Sequence, residues 1–336
     1  MSSPLLAQAV QNITDTLRDA LQHQPSEQAL VIYDTQSPLA QLVCEAYRQA
    51  IPDAQYVDFD QTAPADVLAS IFAMKPRDLV ILVQSTNFRL DEFRLRIGIF
   101  ERLLKTIEHL HLGRMSEDQY PAYIDSLSYD QTYYRSHGHS LKRALDAATS
   151  VEIICAGTTL RYESGMEEAK LNIGDYAEMK NVGGTFPIGE VFTEPKELEK
   201  TNGEIMIFGF AGFDHMMQIH EPFKAIIENG ILIDAPDAPE DFKKILEMIR
   251  AEERVLVREI GLGLNRAFGK DRLVNDVTAF ERMKGLHMSL GEKHGVYKKP
   301  GLLPGKTRFH VDIFVDVERI LVDGRSIFEN GSYILA

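Results

Sequence analysis

A histidine and an aspartate stand two residues apart in the alternating apolar stretch from Arg308 to Asp316. In an extended strand every second side chain points to the same face, so His310 and Asp312 share one face of the predicted strand. An imidazole and a carboxylate on one face are a ready pair of metal ligands. The alternative is a half-buried strand whose polar face meets water, because the pattern alone has low specificity.

Two glutamates upstream occupy positions that a metal site would use. Glu190 follows a glycine-proline loop and precedes an apolar Val-Phe pair, so the loop either holds its carboxylate beside a sheet or exposes it at a turn. Glu259 follows Val255 and Val257 at alternating positions, which aims its carboxylate at an apolar side of the predicted strand. Burying a lone carboxylate is costly, so we expect Glu259 to be paired or bound to a metal ion.

A second histidine, His287, lies among small and apolar residues between Lys284 and Gly291, where it is either a core histidine or a ligand. Three carboxylates and two imidazoles thus fall in the second half of the sequence: Glu190, Glu259, His287, His310 and Asp312. Oxygen ligands mixed with imidazole suit zinc, manganese, cobalt or iron. Five such ligands can hold two ions that share a bridging carboxylate and a water molecule.

Four blocks around these residues follow one another in a recognisable order. They are Asn181 to Pro195, Glu259 to Asn265, Glu281 to Gly291, and His310 to Asp312. In this order the blocks resemble the M29 family of metallo-aminopeptidases, the group of aminopeptidase T and aminopeptidase S. The resemblance implies that a pair of metal ions binds to Glu190, Glu259, His287, His310 and Asp312. The chain departs from the family pattern at Arg282, where a lysine is common, and at His294, where a tyrosine is expected.

The resemblance implies a metal-dependent aminopeptidase that acts on short peptides and forms a homodimer. Two divalent ions, zinc, cobalt or manganese, would share Glu259 as a bridging ligand, and the shared water would attack the scissile carbonyl. Glu190 or Glu259 would relay the proton. His294 would stabilise the oxyanion or the leaving amine, with Arg258 and Lys284 as weaker candidates for the same task.

Two other functions fit parts of the same pattern. The 2,5-dihydroxypyridine dioxygenases, a second branch that resembles this fold, open an aromatic ring with one ferrous ion held by two histidines and one carboxylate. His287, His310 and Asp312 would serve that chemistry equally well. A non-catalytic binding protein on the same fold is a third possibility, although no feature of the sequence favours it.

The overall composition excludes several partners. With 36 basic against 50 acidic residues, the formal charge of −14 argues against nucleic acid, because phosphate backbones are bound by basic patches. The start of the sequence lacks a signal-peptide pattern and the longest apolar runs are too short to span a bilayer, so we expect a cytoplasmic protein with no membrane partner. The two cysteines, Cys44 and Cys155, lie in separate apolar surroundings, which predicts neither a disulfide nor a thiolate metal site.

The order of predicted elements indicates an α/β fold with two domains. Residues 1–150 alternate between helices and short apolar strands, which predicts an N-terminal domain with a mostly parallel sheet and flanking helices. Residues 151–336 contain more strands and glycine-rich turns, with one clear helix over 239–252, which predicts a C-terminal α+β metal-binding domain. Charged and apolar residues from Phe88 to Met115 fall at helical spacing, which predicts a helix there.

Overall fold

The computed structural model describes residues 3–90, 93–302 and 306–334. Its α-helices are α1 (Pro4–Asp15), α2 (Pro38–Ala50), α3 (Pro64–Ala73), α4 (Leu95–Glu101), α5 (Tyr120–Ser126), α6 (Gln131–Ala147), α7 (Glu240–Arg250) and α8 (Val277–Phe280). A π-helical segment, Thr16–Ala20, continues α1, and 3₁₀ turns occupy Leu112–Arg114, Glu117–Gln119 and Leu198–Lys200. Within the described ranges, no helix combines the length and the apolar character needed to cross a bilayer.

The strands of the described residues fall into two large sheets and one two-stranded ribbon. In chain order they are β1 (Ala29–Tyr33), β2 (Gln55–Asp58), β3 (Leu79–Val83), β4 (Arg89–Leu90), β5 (Phe93–Arg94), β6 (Lys105–His109), β7 (Val151–Cys155), β8 (Thr158–Tyr162), β9 (Lys170–Asn172), β10 (Gly183–Phe186), β11 (Glu190–Thr193), β12 (Thr201–Ala211), β13 (Met217–Glu228), β14 (Ile231–Asp234), β15 (Val257–Gly263), β16 (Gly285–Leu290), β17 (Val311–Val315), β18 (Val317–Val322), β19 (Arg325–Glu329) and β20 (Ser332–Tyr333).

The first large sheet is parallel and has the strand order β10-β6-β3-β1-β2. Every residue of β3 and β6 is buried, as expected for a parallel sheet covered on both faces. Helices α2 and α3 follow β1 and β2 along the chain, and each begins with a proline at its first turn, where the missing N–H costs nothing. The predicted parallel sheet with flanking helices is therefore confirmed.

The second large sheet is antiparallel and contains the neighbouring strands β17, β16, β15 and β11 in that order. Helix α7 belongs to the same part of the chain, and its buried face consists of Phe242, Ile245, Leu246 and Ile249. These positions recur at the spacing of one helical face, which is why the sequence predicts α7 well. Together the two sheets give the mixed α/β fold that the sequence indicates.

The chain divides into two compact units that interleave along the sequence. Unit 1 comprises residues 1–135, 172–188 and 270–280, and unit 2 comprises residues 136–171, 189–269 and 281–336. Unit 1 takes β10 from the second half of the chain, because β10 pairs with β6 at the edge of the parallel sheet. The separation into domains at residue 150 stays a prediction.

The helix predicted from Phe88 to Met115 is wrong over most of its length. Among the described residues of this stretch, α4 is the α-helix, the buried strand β6 follows it, and Leu112–Arg114 form a 3₁₀ turn. Residues 91 and 92 of this stretch lie outside the described residues. Part of the error lies in β6, where Lys105 and Glu108 are buried in ion pairs with Glu27 and Arg96 and do not form a solvated helix face.

His109 ends β6 in the core of unit 1, where it bridges two buried tyrosines. Its Nε2 lies 2.8 Å from the Tyr47 hydroxyl and its Nδ1 lies 2.8 Å from the Tyr123 hydroxyl. A neutral imidazole has one donor and one acceptor nitrogen, so one tyrosine donates to the ring and the other accepts from it. Burial lowers the pKa of His109 to about 3, so the ring is neutral in the folded protein at ordinary pH.

This histidine should make the stability of the protein depend on pH. Below pH 6.5 the unfolded chain takes up a proton that folded His109 does not accept until about pH 3, so stability falls as the pH falls through this window. The expected contribution is at most about 1.4 kcal/mol per pH unit. His109→Gln keeps a donor and an acceptor without titrating here, so its urea-unfolding free energy should change less between pH 7 and pH 5. If the unfolding free energy of the wild type and of His109→Gln changed equally between pH 7 and pH 5, His109 would not be the source of the pH dependence.

Candidate metal centre

The predicted ligands come from four neighbouring strands of the antiparallel sheet. Glu190 begins β11, Glu259 lies in β15, His287 lies in β16, and Asp312 lies in β17. His310 directly precedes β17. Because these strands are adjacent in the sheet, residues far apart in sequence meet within unit 2.

An irregularity in β15 sets the position of Glu259. The register between β15 and β16 shifts between Val257 and Ile260, and the Glu259 N–H donates to Ser289 Oγ over 3.1 Å. A β-bulge of this kind re-aims side chains locally. All seven residues of β15 are buried, so simple alternation does not tell which side chains face the site.

Glu190, Glu259 and His287 form a compact group of three potential ligands. Each residue offers one ligand atom, and these atoms all lie within 4.8 Å of one another. His287 Nε2 lies 3.3 Å from Glu190 Oε1 and 3.4 Å from Glu259 Oε1. The three residues are 4%, 8% and 1% exposed, so little water screens the charges of the group.

The electrostatics of this group are those of carboxylates around a cation. Although burial alone would raise the pKa of Glu259, its hydrogen bonds with His287 and His294 hold that pKa well below the usual range. Burial alone would lower the pKa of His287, yet its contacts with Glu190 and Glu259 raise it well above the ordinary value. In the metal-free protein a proton on His287 therefore supplies positive charge that a metal ion could supply instead.

His310 and Asp312 form a second pair beside this group. His310 Nδ1 donates to the Lys293 carbonyl over 3.0 Å, and His310 Nε2 lies 3.2 Å from Asp312 Oδ1. Burial would lower the pKa of His310, but the charge of Asp312 raises it to about 10. The His294 ring connects the pair to the group, because it hydrogen-bonds Glu259 and its centroid lies 5.9 Å from that of His310.

The donor atoms of this pair fit a divalent metal ion. Asp312 Oδ1 is buried and has no hydrogen-bond partner among the described residues. Because Nδ1 keeps its proton in the hydrogen bond to the Lys293 carbonyl, loss of the other ring proton of His310 directs the Nε2 lone pair toward the same region. Two acceptor atoms 3.2 Å apart need a proton or a metal ion between them. Carboxylate and imidazole donors suit zinc, manganese, cobalt and iron.

An ion pair that the sequence reasoning missed lies behind Glu190. Arg282 Nη1 lies 2.9 Å from Glu190 Oε2 and 2.7 Å from Glu281 Oε1. Burial, with the charges of Glu190 and Asp312, raises the pKa of Glu281 to about 8, against the opposing effect of Arg282. The available signal in the sequence was the adjacent charged pair Glu281 and Arg282, which is separated by two residues from the apolar strand β16.

Arg258 is not available as an oxyanion-stabilising residue. Its guanidinium is 2% exposed and makes two hydrogen bonds of 3.0 Å to the buried carboxylate of Glu194. Its remaining hydrogen bonds go to the carbonyls of Glu292 and Tyr297. With its donors used in this way, Arg258 has a structural role in the fold. The role expected for Lys284 stays a prediction.

The fold of this chain occurs in known enzymes, although no protein family and no curated protein matches the sequence. The chain is similar to 2,5-dihydroxypyridine dioxygenase from Pseudomonas putida KT2440, with a TM-score of 0.67 and 15% identity over 99% of this chain and 98% of that one. It is also similar to wild-type AmpT from Thermus thermophilus, with a TM-score of 0.62 and 13% identity over 98% of this chain and 99% of that one. Identities this low establish the fold alone.

Proposed function

We propose that this protein is a metal-dependent hydrolase that removes N-terminal residues from short peptides. The observation that carries the proposal is the convergence of Glu190 and Glu259 on His287, next to the pair of His310 and Asp312. A centre with two ions uses all of these carboxylates, whereas a single ion has no need for both glutamates. The fold shared with AmpT and the four M29-like sequence blocks support the same choice.

The proposed ligands are Glu190, Glu259, His287, His310 and Asp312. Bound divalent ions would lower the pKa of a water molecule to about 7 and polarise the scissile carbonyl. Glu259 is suited to bridging because its low pKa keeps it ionised. Glu190 would accept the proton of the attacking water and pass it to the leaving amine, because the low pKa of Glu259 makes that carboxylate a weak base.

The alternative function is ring cleavage by a single ferrous ion held by His287, His310 and Asp312. Two histidines and one carboxylate are the ligand set of many non-haem iron oxygenases. The observation that favours this alternative is the similarity of the fold to 2,5-dihydroxypyridine dioxygenase, which has the higher TM-score of the two structures.

Metal content separates the two functions. Elemental analysis of protein purified without chelator and under argon should find about two zinc, manganese or cobalt ions per chain if the hydrolase is correct. Release of N-terminal residues from aminoacyl-anilides should then depend on those ions. One iron per chain, together with oxygen consumption on dihydroxypyridines, would replace the hydrolase by the dioxygenase.

Glu190 is the residue that best discriminates the two centres. Glu190→Gln should lower the bound metal from about two ions to about one per chain and remove peptidase activity. The reason is that one of the two proposed ions loses the charged carboxylate oxygen of Glu190 as a ligand. Glu204→Gln is the matched control, since Glu204 lies in β12 and pairs with Lys224 at the surface. Unchanged metal content and activity in Glu190→Gln would exclude a ligand role for Glu190.

A further inference from the structure

The loop that follows β16 carries His294 into the candidate centre. We call residues 291–297 the His294 loop. Within it, the backbone N–H of Val296 donates to His294 Nδ1 over 3.2 Å. A backbone N–H can only donate, so Nδ1 must be the acceptor and carries no proton. The proton of the neutral ring is therefore on Nε2, which donates to Glu259 Oε2.

The same loop gives His310 the opposite arrangement. The Lys293 carbonyl can only accept, so His310 Nδ1 carries the proton of the 3.0 Å hydrogen bond between them. His310 Nε2 is therefore the nitrogen that must release its proton before a metal ion can bind, and it faces Asp312 Oδ1 over 3.2 Å. A backbone carbonyl on one ring nitrogen is the usual way in which proteins prepare the other nitrogen to bind a metal ion.

The His294 loop is braced from two sides. Arg258 Nη1 donates to the Glu292 carbonyl over 2.5 Å and Arg258 Nη2 donates to the Tyr297 carbonyl over 3.2 Å, so one guanidinium binds the loop on both sides of His294. Glu253 accepts from the N–H groups of Glu292 and Phe309, which ties the loop to the segment before His310. The backbone groups that select the tautomers are therefore held in place.

The His294 ring itself is also confined. Its side chain is 3% exposed. The ring of Tyr297 lies 5.3 Å from it and the ring of Phe192 lies 6.4 Å from it, centroid to centroid. A flip of the imidazole would break its hydrogen bonds with Val296 and Glu259 at once. A single tautomer is therefore expected.

We propose that the His294 loop selects opposite tautomers at two neighbouring histidines, which makes His310 a metal ligand and His294 a positioning residue for Glu259. A ring nitrogen that bears a proton cannot ligate, so His294 donates to the bridging carboxylate and fixes its orientation. The inference rests on the proposed metal-dependent function, although the hydrogen bonds that fix the positions of the ring protons are present without a bound ion.

Nitrogen NMR of the full chain labelled with ¹⁵N-histidine tests the tautomers directly. Signals are assigned by their loss in His294→Gln and in His310→Gln. His294 should show a protonated Nε2 and an unprotonated Nδ1 in metal-free protein, and His310 should show a protonated Nδ1. On addition of zinc alone, His310 Nε2 should shift strongly, while His294 keeps its pattern. A His294 Nε2 that loses its proton and shifts with zinc would overturn the proposal.

Zinc affinity of three variants, measured by calorimetry, separates positioning from ligation. His294→Gln can still donate to Glu259, so its affinity should stay within about tenfold of the wild type. His294→Leu removes the donor and should lose about 10–100-fold. His310→Leu removes a ligand and should lose more than His294→Leu. Equal losses in His294→Gln and His310→Leu would show that His294 ligates.

Two variants of the His294 loop test whether the loop determines which ring nitrogen of His294 carries the proton. Val296→Pro removes the N–H that holds His294 Nδ1, and Val296→Ala keeps it, so only the proline variant should mix the two His294 tautomers. A single unchanged tautomer in a folded Val296→Pro protein would overturn the role of the loop. If the tautomers are as expected but no zinc binds, the proposed hydrolase fails while the selection of tautomers by the loop stands.

Discussion

Glu259→Gln should lower kcat for aminoacyl-anilide hydrolysis by about 10³-fold or more while leaving the protein folded. Glu259 is buried between His287 and His294, and it is the one proposed ligand that contacts both imidazoles. Glutamine keeps the volume of the side chain, so no cavity forms. It lacks the negative charge and the second carboxylate oxygen, and it therefore cannot bridge two cations.

The comparison for Glu259→Gln is the surface variant Glu204→Gln, which removes one negative charge from the same unit. Both variants should show the wild-type circular dichroism spectrum. Initial rates at saturating substrate, with zinc, cobalt or manganese supplied, then report kcat. Wild-type kcat in Glu259→Gln would exclude the bridging role.

Gly261→Ala should reduce zinc affinity by about 100-fold or more without any change to a ligand. Gly261 pairs with His287 across β15 and β16. A Cβ atom at Gly261 would lie 1.9 Å from Cε1 and 2.2 Å from Nε2 of His287, so the imidazole ring would have to move. The ring is buried and packs against Phe314, so it cannot move and keep its contacts with Glu190 and Glu259.

Gly269→Ala is the matched control, because a Cβ atom there would meet nothing within 4 Å. Calorimetric titration with zinc gives the affinity of both variants, and urea unfolding shows that both remain folded. Overpacking at Gly261 should cost about 1–3 kcal/mol of stability. Equal zinc affinity in the two variants would mean that the ring of His287 is not a ligand in the position described.

Part of the site could be predicted from the sequence, because an imidazole and a carboxylate, both potential metal ligands, occur at strand spacing. His310 and Asp312 could be placed on one face by counting, and the structure places their side chains 3.2 Å apart. The convergence of Glu190, Glu259 and His287 was not predictable from periodicity, because it depends on which strands are neighbours. Whether these residues bind metal ions stays a prediction.

Other features escaped the sequence for identifiable physical reasons. Arg258 was a candidate for stabilising the oxyanion because its buried partner, Glu194, is remote in sequence and the pairing cannot be read from the pattern. The tautomers of His294 and His310 depend on backbone groups of Val296 and Lys293, which leave no trace in the pattern of side chains. Elements with a local periodic signal, such as α7, were predicted well. The charged residues of β6 instead contributed to the wrong prediction of a solvated helix, although the strand is buried.

The position of β10 limits how far this protein can be treated as modular. The strand ends at Phe186 as an edge of the parallel sheet, and after only three intervening residues Glu190 begins β11 in the antiparallel sheet. A fragment starting at residue 151 would expose the pairing edge of β10 and leave the segment that leads to Glu190 without its anchor. A single cut in the chain therefore does not yield a fragment that contains the complete candidate centre. A chimera that replaces the first 150 residues would have to keep a strand that pairs with β10 as β6 does.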